Sequence, residues 1–342
     1  MIHAALRALI DGRDLNDAET TAAIEEVLSG EASAAQTAAL VTALRMKGET
    51  SGEITAAARA LRRRCEPIEG FTGTLLDTCG TGGGPMATFN VSTIAAIVIA
   101  ACGVPVAKHG LRAVTSRTGS ADVVEALGVR IDASREVVRR SLRDVGITFL
   151  YAPSFHVALA HAGVVRQELG FRTIFDLIGP LANPAGATHQ LLGVHSPVYL
   201  RKVAEALSRL GTQRAWVLHG AGGMDEVSPS GPTRVVSLRQ GVLIESTVTP
   251  NDFGLLPVSG EGLAGGDPAT NAAIVRSILA GDVGPKRTAV VLNAAAGLVV
   301  AEVTTDLREA AALAMDAIDS GRARETLDRW VAASNVPDED AA

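Results

Sequence analysis

The sequence predicts an α/β protein in which a small all-helical unit leads into a larger α/β unit with a mostly parallel central sheet. Three observations predict it. Residues 1–64 are rich in Ala, Leu and Glu with few β-branched clusters. Beyond residue 73 strand-like and helix-like segments alternate, the pattern of a parallel sheet covered by helices. From residue 267 onward helical patterning dominates. Bulk properties agree: 342 residues, 47 % apolar and 20 % charged, suffice for one large domain or two and exclude a disordered chain. A net charge of −6 disfavours nucleic acid as a partner, although a small anionic ligand needs only a local positive site.

The helical unit breaks at Asp11–Asp14, at Ser29-Gly30 and at Lys47–Gly52. Asn16 with Glu19 and Ser33 with Gln36 have capping-box spacing, so a helix is expected to begin after each. Glu66–Gly73, interrupted by Pro and Gly, reads as a linker. Strands are expected at Thr74–Cys79, Val104–Lys108, Ile147–Ala152, His189–His195 and Ala215–His219, with helices at Ser120–Leu127, Ser134–Asp144 and Pro197–Leu210. Thr233–Leu238 and Val242–Val248 form an expected hairpin around Arg239–Gly241. Lys286–Gly297 is ambiguous, because Ala289–Leu292 has strand character within a helical stretch. The acidic tail at Pro337–Asp340 is expected to fray.

The longest apolar run, Val91–Val106, is broken by Gly103 and Pro105 and falls short of the roughly 20 residues a membrane span needs. It reads as a buried helix followed by a strand, and no membrane association is expected. Cys65, Cys79 and Cys102 are odd in number and lack metal-ligand spacing; they read as reduced core thiols. With no basic segment and long apolar run at the N-terminus, a cytoplasmic location is expected.

Three constellations carry chemistry. The first is Gly80-Thr81-Gly82-Gly83-Gly84 between a strand and the helix opened by Thr88-Phe-Asn-Val-Ser-Thr93, joined by the polar loop Lys108–Ser120. Glycines let backbone N–H groups crowd around an anion, and a helix N-terminus adds partial positive charge. The lysine, arginines and hydroxyls of the second loop suit a ligand with more than one phosphate. Plain N-capping is the bland alternative for Asn90, Ser92 and Thr93. The second is Asp225-Glu226, a carboxylate pair just after a strand, as Mg²⁺ sites require, or else an exposed acidic turn. The third is Arg166, whose planar fork suits a substrate carboxylate and equally a salt bridge within a helix. His109 and His156 lie beside these loops, and no Ser-His-Asp or Cys-His arrangement emerges.

These motifs, in this order along nearly the whole chain, resemble the anthranilate phosphoribosyltransferase family of tryptophan biosynthesis. Asp77–Gly83, Thr88–Thr93, Lys108-His-Gly110, Ser116–Ser120, Arg166–Gly170, Arg172–Phe175, Gly179-Pro-Leu181, Asn183-Pro184 and Asp225-Glu226 carry the resemblance. It implies a fold like that of the pyrimidine nucleoside phosphorylases and a homodimer associated through its helical domains. It also implies a helical domain over residues 1–66 with a returning segment near 166–185, and a domain binding 5-phosphoribosyl 1-diphosphate over 67–165 and 186–342. The implied reaction transfers the 5-phosphoribosyl group to the amine of anthranilate and releases diphosphate.

By the same resemblance the substrate-binding set is Gly80, Thr81, Gly82, Gly83, Gly84, Thr88, Asn90, Val91, Ser92, Thr93, Lys108, His109, Gly110, Leu111, Arg112, Ser116, Ser120, His156 and Arg166. Lys108, His109 and Arg166 are the catalytic candidates, and Ser92, Asp225 and Glu226 the Mg²⁺ ligands. The chain departs from the family pattern at Gly84, where Asp is usual, at Leu111, where Asn is usual, and at Val157, where Pro usually follows the histidine. Two other readings stay open on the residues: a paralogous transferase with another aromatic or amine acceptor, and a catalytically idle relative that binds nucleic acid.

Overall fold

The computed structural model describes residues 1–82, 88–113 and 117–337. Gly83, Gly84 and Ser116 lie outside the described residues, as do residues 338–342 of the acidic tail.

The chain opens with four helices, α1 (Ile2–Ile10), α2 (Asp17–Leu28), α3 (Ala34–Lys47) and α4 (Ser51–Arg63). Asn16 and Ser33 start α2 and α3 as capping boxes: each side chain accepts from the backbone three residues on, and Glu19 and Gln36 return the bond. Thr50 and Glu53 form a third box at α4, where the sequence suggested only a break.

Next come β1 (Leu76–Gly80), α5 (Val91–Ala101), β2 (Val106–Gly110), α6 (Ser120–Ala126), α7 (Arg135–Val145), β3 (Ile147–Tyr151) and the short α8 (Ala152–Phe155). Then α9 (Ala160–Leu169) packs on α2 and α3, and α10 (Ile174–Ile178) packs on α3 and α4, before the chain re-enters the sheet at β4 (His189–Gly193). The remainder is α11 (Leu200–Arg209), β5 (Arg214–Gly220), the hairpin β6 (Thr233–Arg239) and β7 (Val242–Val248), and α12 (Pro268–Leu279), α13 (Pro285–Val300), α14 (Leu307–Asp319) and α15 (Arg322–Ser334).

The seven strands are ordered β3-β2-β1-β4-β5-β6-β7. The first five in that order run parallel, whereas β6 and β7 are antiparallel. Order reverses between β1 and β4, and at such a switch point the carboxyl ends of the strands open a crevice. One core lies between the sheet and α5 with α12–α15; another joins α11 and the opposite sheet face to the N-terminal helices.

The stretch Ala289–Leu292 is helical, inside α13. Residues 289–298 are all buried, and burial on every side removes the apolar stripe by which a helix is recognised. Only Cys79 of the three free cysteines is a core thiol, since Cys65 and Cys102 are half-buried at the ends of α4 and α5. No described helix is long and apolar enough to cross a membrane.

Candidate functional site

At the switch point Gly80 of β1 is the register partner of Gly193 of β4. The chain after β5 folds back over both. A Cβ on Gly193 would lie 1.5 Å from the Asp225 carbonyl oxygen, and one on Gly80 would lie 2.3 Å from Asp225 Oδ2. Two glycines side by side are therefore what lets the acidic loop settle onto the strand ends. The Gly82 N–H donates to Asp225 Oδ2 at 2.8 Å, and the His195 N–H donates to Thr81 Oγ1 at 2.9 Å, so the start of the glycine loop is held from two sides.

The first turn of α5 forms the next wall. Asn90 occupies the N-cap position without capping through its side chain. Its Nδ2 donates to the Thr118 carbonyl at 3.3 Å and its Oδ1 accepts from Asn271 Nδ2 at 2.9 Å, which ties the glycine-loop exit to the second loop and to α12. Thr88 bridges to Ala264 beneath it. Val91 and Thr93 are buried, and Thr93 Oγ1 has no partner among the described residues.

Lys108, on β2, points inward rather than out to solvent. Its Nζ donates to the Thr78 carbonyl at 2.5 Å and to Ser92 Oγ at 3.2 Å, so the ammonium sits beneath the first turn of α5. Burial pushes its pKa down, opposed by Asp77, Glu226 and Asp225. The residue is only 2 % exposed, so its charge is buried one hydroxyl away from the first turn of α5. Glu226 is partly exposed as a residue, yet its Oε2 is shielded and unpartnered among the described residues. Burial raises its pKa well above the usual carboxylate range and Asp225 adds to this, while Lys108 opposes.

Ser92, Asp225 and Glu226 thus offer a hydroxyl and two carboxylates, all hard oxygen donors of the kind Mg²⁺ prefers, and the shielded Glu226 oxygen is short of a cation. Among the described residues no group of three His, Cys, Asp or Glu side chains could hold a metal ion.

Arg166, near the end of α9, donates from Nη2 to Asp176 Oδ1 at 2.8 Å. Asp176 also caps α10 by accepting the Thr173 N–H at 2.8 Å. One edge of the Arg166 fork is therefore a salt bridge across the α9–α10 turn, and its Nε is shielded without a partner among the described residues.

His109 and His156, both buried, lie with ring centroids 5.0 Å apart and ring planes tilted by 58°. Burial pushes His156 down to about 4 and His109 well below its usual value, so both are neutral at pH 7. Leu111 is exposed. Arg112 turns from the loop to bond Glu125 at 2.7 and 2.9 Å and Asp122 at 3.1 Å, on α6. Ser120, the first residue of α6, lies against Gly110, where a Cβ would come 2.1 Å from its Oγ.

Asparagines to which the sequence reading gave no role in the site hold this assembly together. Asn183 Nδ2 donates to Asp77 Oδ2 and to the Ala107 carbonyl, both at 2.8 Å, while Asp77 Oδ1 accepts the His109 N–H at 3.1 Å. Asn271 accepts the Gly266 N–H at 2.8 Å, and Asn293 engages the backbone of Val227. The only signal for Asn293 is one amide inside an apolar helix.

Two glycosyl transferase family models match the chain, the helical bundle domain over residues 3–65 and the a/b domain over residues 72–324. An anthranilate phosphoribosyltransferase of Rhodospirillum rubrum is 50 % identical over 326 residues, 95 % of this chain and 94 % of the relative. One of Chloroflexus aggregans is 50 % identical over 335 residues, 97 % of this chain and 98 % of the relative. Among solved structures, the anthranilate phosphoribosyltransferase of Thermus thermophilus superposes with a TM-score of 0.91 at 44 % identity, covering 97 % of this chain and 99 % of that one. The Saccharomyces cerevisiae enzyme in complex with PRPP and Mg gives a TM-score of 0.90 at 27 % identity, covering 98 % of each.

Proposed function

The chain belongs to the anthranilate phosphoribosyltransferase family, and from that premise we propose how its own residues carry the reaction. The enzyme transfers the 5-phosphoribosyl group of 5-phosphoribosyl 1-diphosphate to the amine of anthranilate. The amine nitrogen bonds to ribose C1 as the C1–O bond to diphosphate breaks; the electron pair leaves on the diphosphate and the nitrogen gives up a proton. Charge grows positive on the ribose and negative on the leaving group, so preorganised donors at the diphosphate accelerate the step.

The observation that carries this assignment is the convergence of the Gly80–Gly82 loop, the first turn of α5, Lys108 and the Asp225-Glu226 pair at the β1/β4 switch point. The glycine-loop amides and the α5 N-terminus receive the phosphates, with Thr88, Asn90, Thr93 and Ser120 completing the pocket. Lys108 contributes its buried charge through Ser92. Ser92, Asp225 and Glu226 would hold Mg²⁺, which when bound neutralises part of the charge on the diphosphate. Arg166 holds the anthranilate carboxylate with the edge of its fork that Asp176 leaves, and the neutral His109–His156 pair forms an uncharged wall beside the aromatic ring. Alignment of the two reactants supplies much of the remaining acceleration.

A helical domain over residues 1–66 with a returning segment near 166–185 belongs to the same proposal, as does closure of the two domains over both substrates. So does a homodimer built through that domain, supported by the exposed apolar side chains of Ile10 and Met46. A cytoplasmic location fits a pathway of small soluble metabolites. Purified protein given 5-phosphoribosyl 1-diphosphate, Mg²⁺ and anthranilate is expected to consume anthranilate fluorescence, with Asp225→Asn slowing turnover at least about tenfold. Unchanged fluorescence at high enzyme concentration would overturn the assignment.

A further inference from the structure

We propose that Asn293 is a positioning residue for the acidic loop, clamping the backbone next to Glu226 so that the carboxylate pair is built before metal and diphosphate arrive. The inference rests on the reading that Asp225 and Glu226 hold Mg²⁺.

Asn293 lies in the middle of α13 and is 3 % exposed, with Val290, Val291, Leu292, Ala294, Ala295 and Ala296 buried around it. Such a position favours Ala or Leu: asparagine is a poorer helix former, and an unsatisfied amide in an apolar core is strongly unfavourable. The cost is removed by one partner above all. Asn293 Oδ1 accepts the Val227 N–H at 2.9 Å, and its Nδ2 donates to the Val227 carbonyl at 3.0 Å and to the Ala289 carbonyl at 2.9 Å. Both N–H groups of the carboxamide are used.

Engaging the N–H and the C=O of one residue imitates the pairing of a neighbouring strand and restrains both dihedrals of Val227. An apolar side chain offers neither bond, and a serine is too short to make both.

Within the loop the Gly220 N–H donates to the Met224 carbonyl at 2.8 Å and the Ser228 N–H to Thr233 Oγ1 at 2.9 Å, and the Gly82 N–H reaches the Asp225 side chain at 2.8 Å. Asn293 adds a tie from a distant part of the chain to the loop backbone itself. α13 also packs along α5, the helix whose first turn carries Ser92. One helix thereby packs on the element that carries the hydroxyl and, through Asn293, bonds the loop that carries the carboxylates. A side chain that orients ligands without touching the metal typically affects metal affinity by roughly 10–100-fold.

The test uses full-length Asn293→Leu and Asn293→Ser, with folding checked by circular dichroism. Mn²⁺ binding in the presence of 5-phosphoribosyl 1-diphosphate is followed by electron paramagnetic resonance. Expected are a loss of Mn²⁺ affinity of about tenfold or more and a matching rise in KM for the diphosphate substrate. KM for anthranilate should stay within about twofold, since the lost bonds are to Val227 and Ala289 and Arg166 is held separately by Asp176. A folded variant with wild-type Mn²⁺ affinity overturns the proposal, and so does an equal rise in both KM values, which is the signature of general loosening.

Glu226→Gln separates the two layers. If it leaves Mn²⁺ binding intact, the metal reading itself falls; if it weakens binding while the Asn293 variants do not, only the positioning role falls. Should neither Asn293 variant fold, hydrogen exchange of the wild-type Val227 amide decides: protection without metal or substrate supports a prebuilt loop, and protection gained only on their addition overturns it.

Discussion

The pairing of Gly193 with Asp225 shows how a single missing carbon decides where a charge can sit. The atom a Cβ would meet, at 1.5 Å, is a backbone carbonyl oxygen, which cannot rotate away as a side chain would. Gly193→Ala is therefore expected either to lift the 225–226 loop or to part β4 from β1. Overpacking of this kind costs about 1–3 kcal/mol, visible as a lower urea midpoint, and turnover should fall well beyond what that loss explains. Wild-type kcat/KM in a folded Gly193→Ala protein would show that the loop tolerates another seat. Asp225 was legible in the sequence because adjacent carboxylates follow a strand; Gly193 was not, because its necessity comes from a segment 32 residues later.

The start of α4 shows why one helix boundary was harder to read than two others. Glu53 is fully buried and accepts the Thr50 N–H at 2.8 Å, the Leu15 N–H at 2.9 Å and Lys47 Nζ at 3.0 Å. Its carboxylate closes the cap and also pins the loop between α1 and α2. Glu53→Ala strips a buried partner from Lys47 and from two amides, and unfolding free energy is expected to drop by about 3–5 kcal/mol. Glu19 closes the box at α2 beside an exposed Arg13, where water screens the pair and replaces the lost bonds, so truncation there should cost far less. Equal losses for the two variants in denaturant titrations would contradict this account. The Lys47–Gly52 segment reads locally as a loop because the burial that makes Glu53 important is a tertiary property.

Across the whole molecule, packing of β2, β3 and the segment after α10 keeps His109 and His156 neutral, while burial pushes His195, two residues beyond β4, down to about 4. A histidine whose folded pKa lies below its unfolded value of about 6.5 contributes stability that is fully present above that value and is lost as pH falls toward the folded one. For His156, 2 % exposed and lowered to about 4, the loss between pH 7 and pH 5 is about 2 kcal/mol. Urea unfolding at the two pH values should reveal it, and His156→Gln should flatten the slope by a similar amount. A slope unaltered in His156→Gln would mean that this ring titrates alike in both states.

Much of the fold was determined by the sequence alone, because strand–helix alternation, capping boxes and glycine-rich turns are local signals that survive without their surroundings. The glycine loop, the acidic pair and Arg166 stood out in the sequence for the same reason, each being a local pattern of residue types that suits the proposed chemistry. Tertiary structure alone decided how those side chains are used. It turned Lys108 inward onto Ser92, gave Arg166 to Asp176 and Arg112 to α6, and recruited Asn90, Asn183 and Asn293 as ties between distant segments. A buried polar group must find its partner wherever the fold brings one, and residues 66 apart, like Val227 and Asn293, carry no local trace of that pairing.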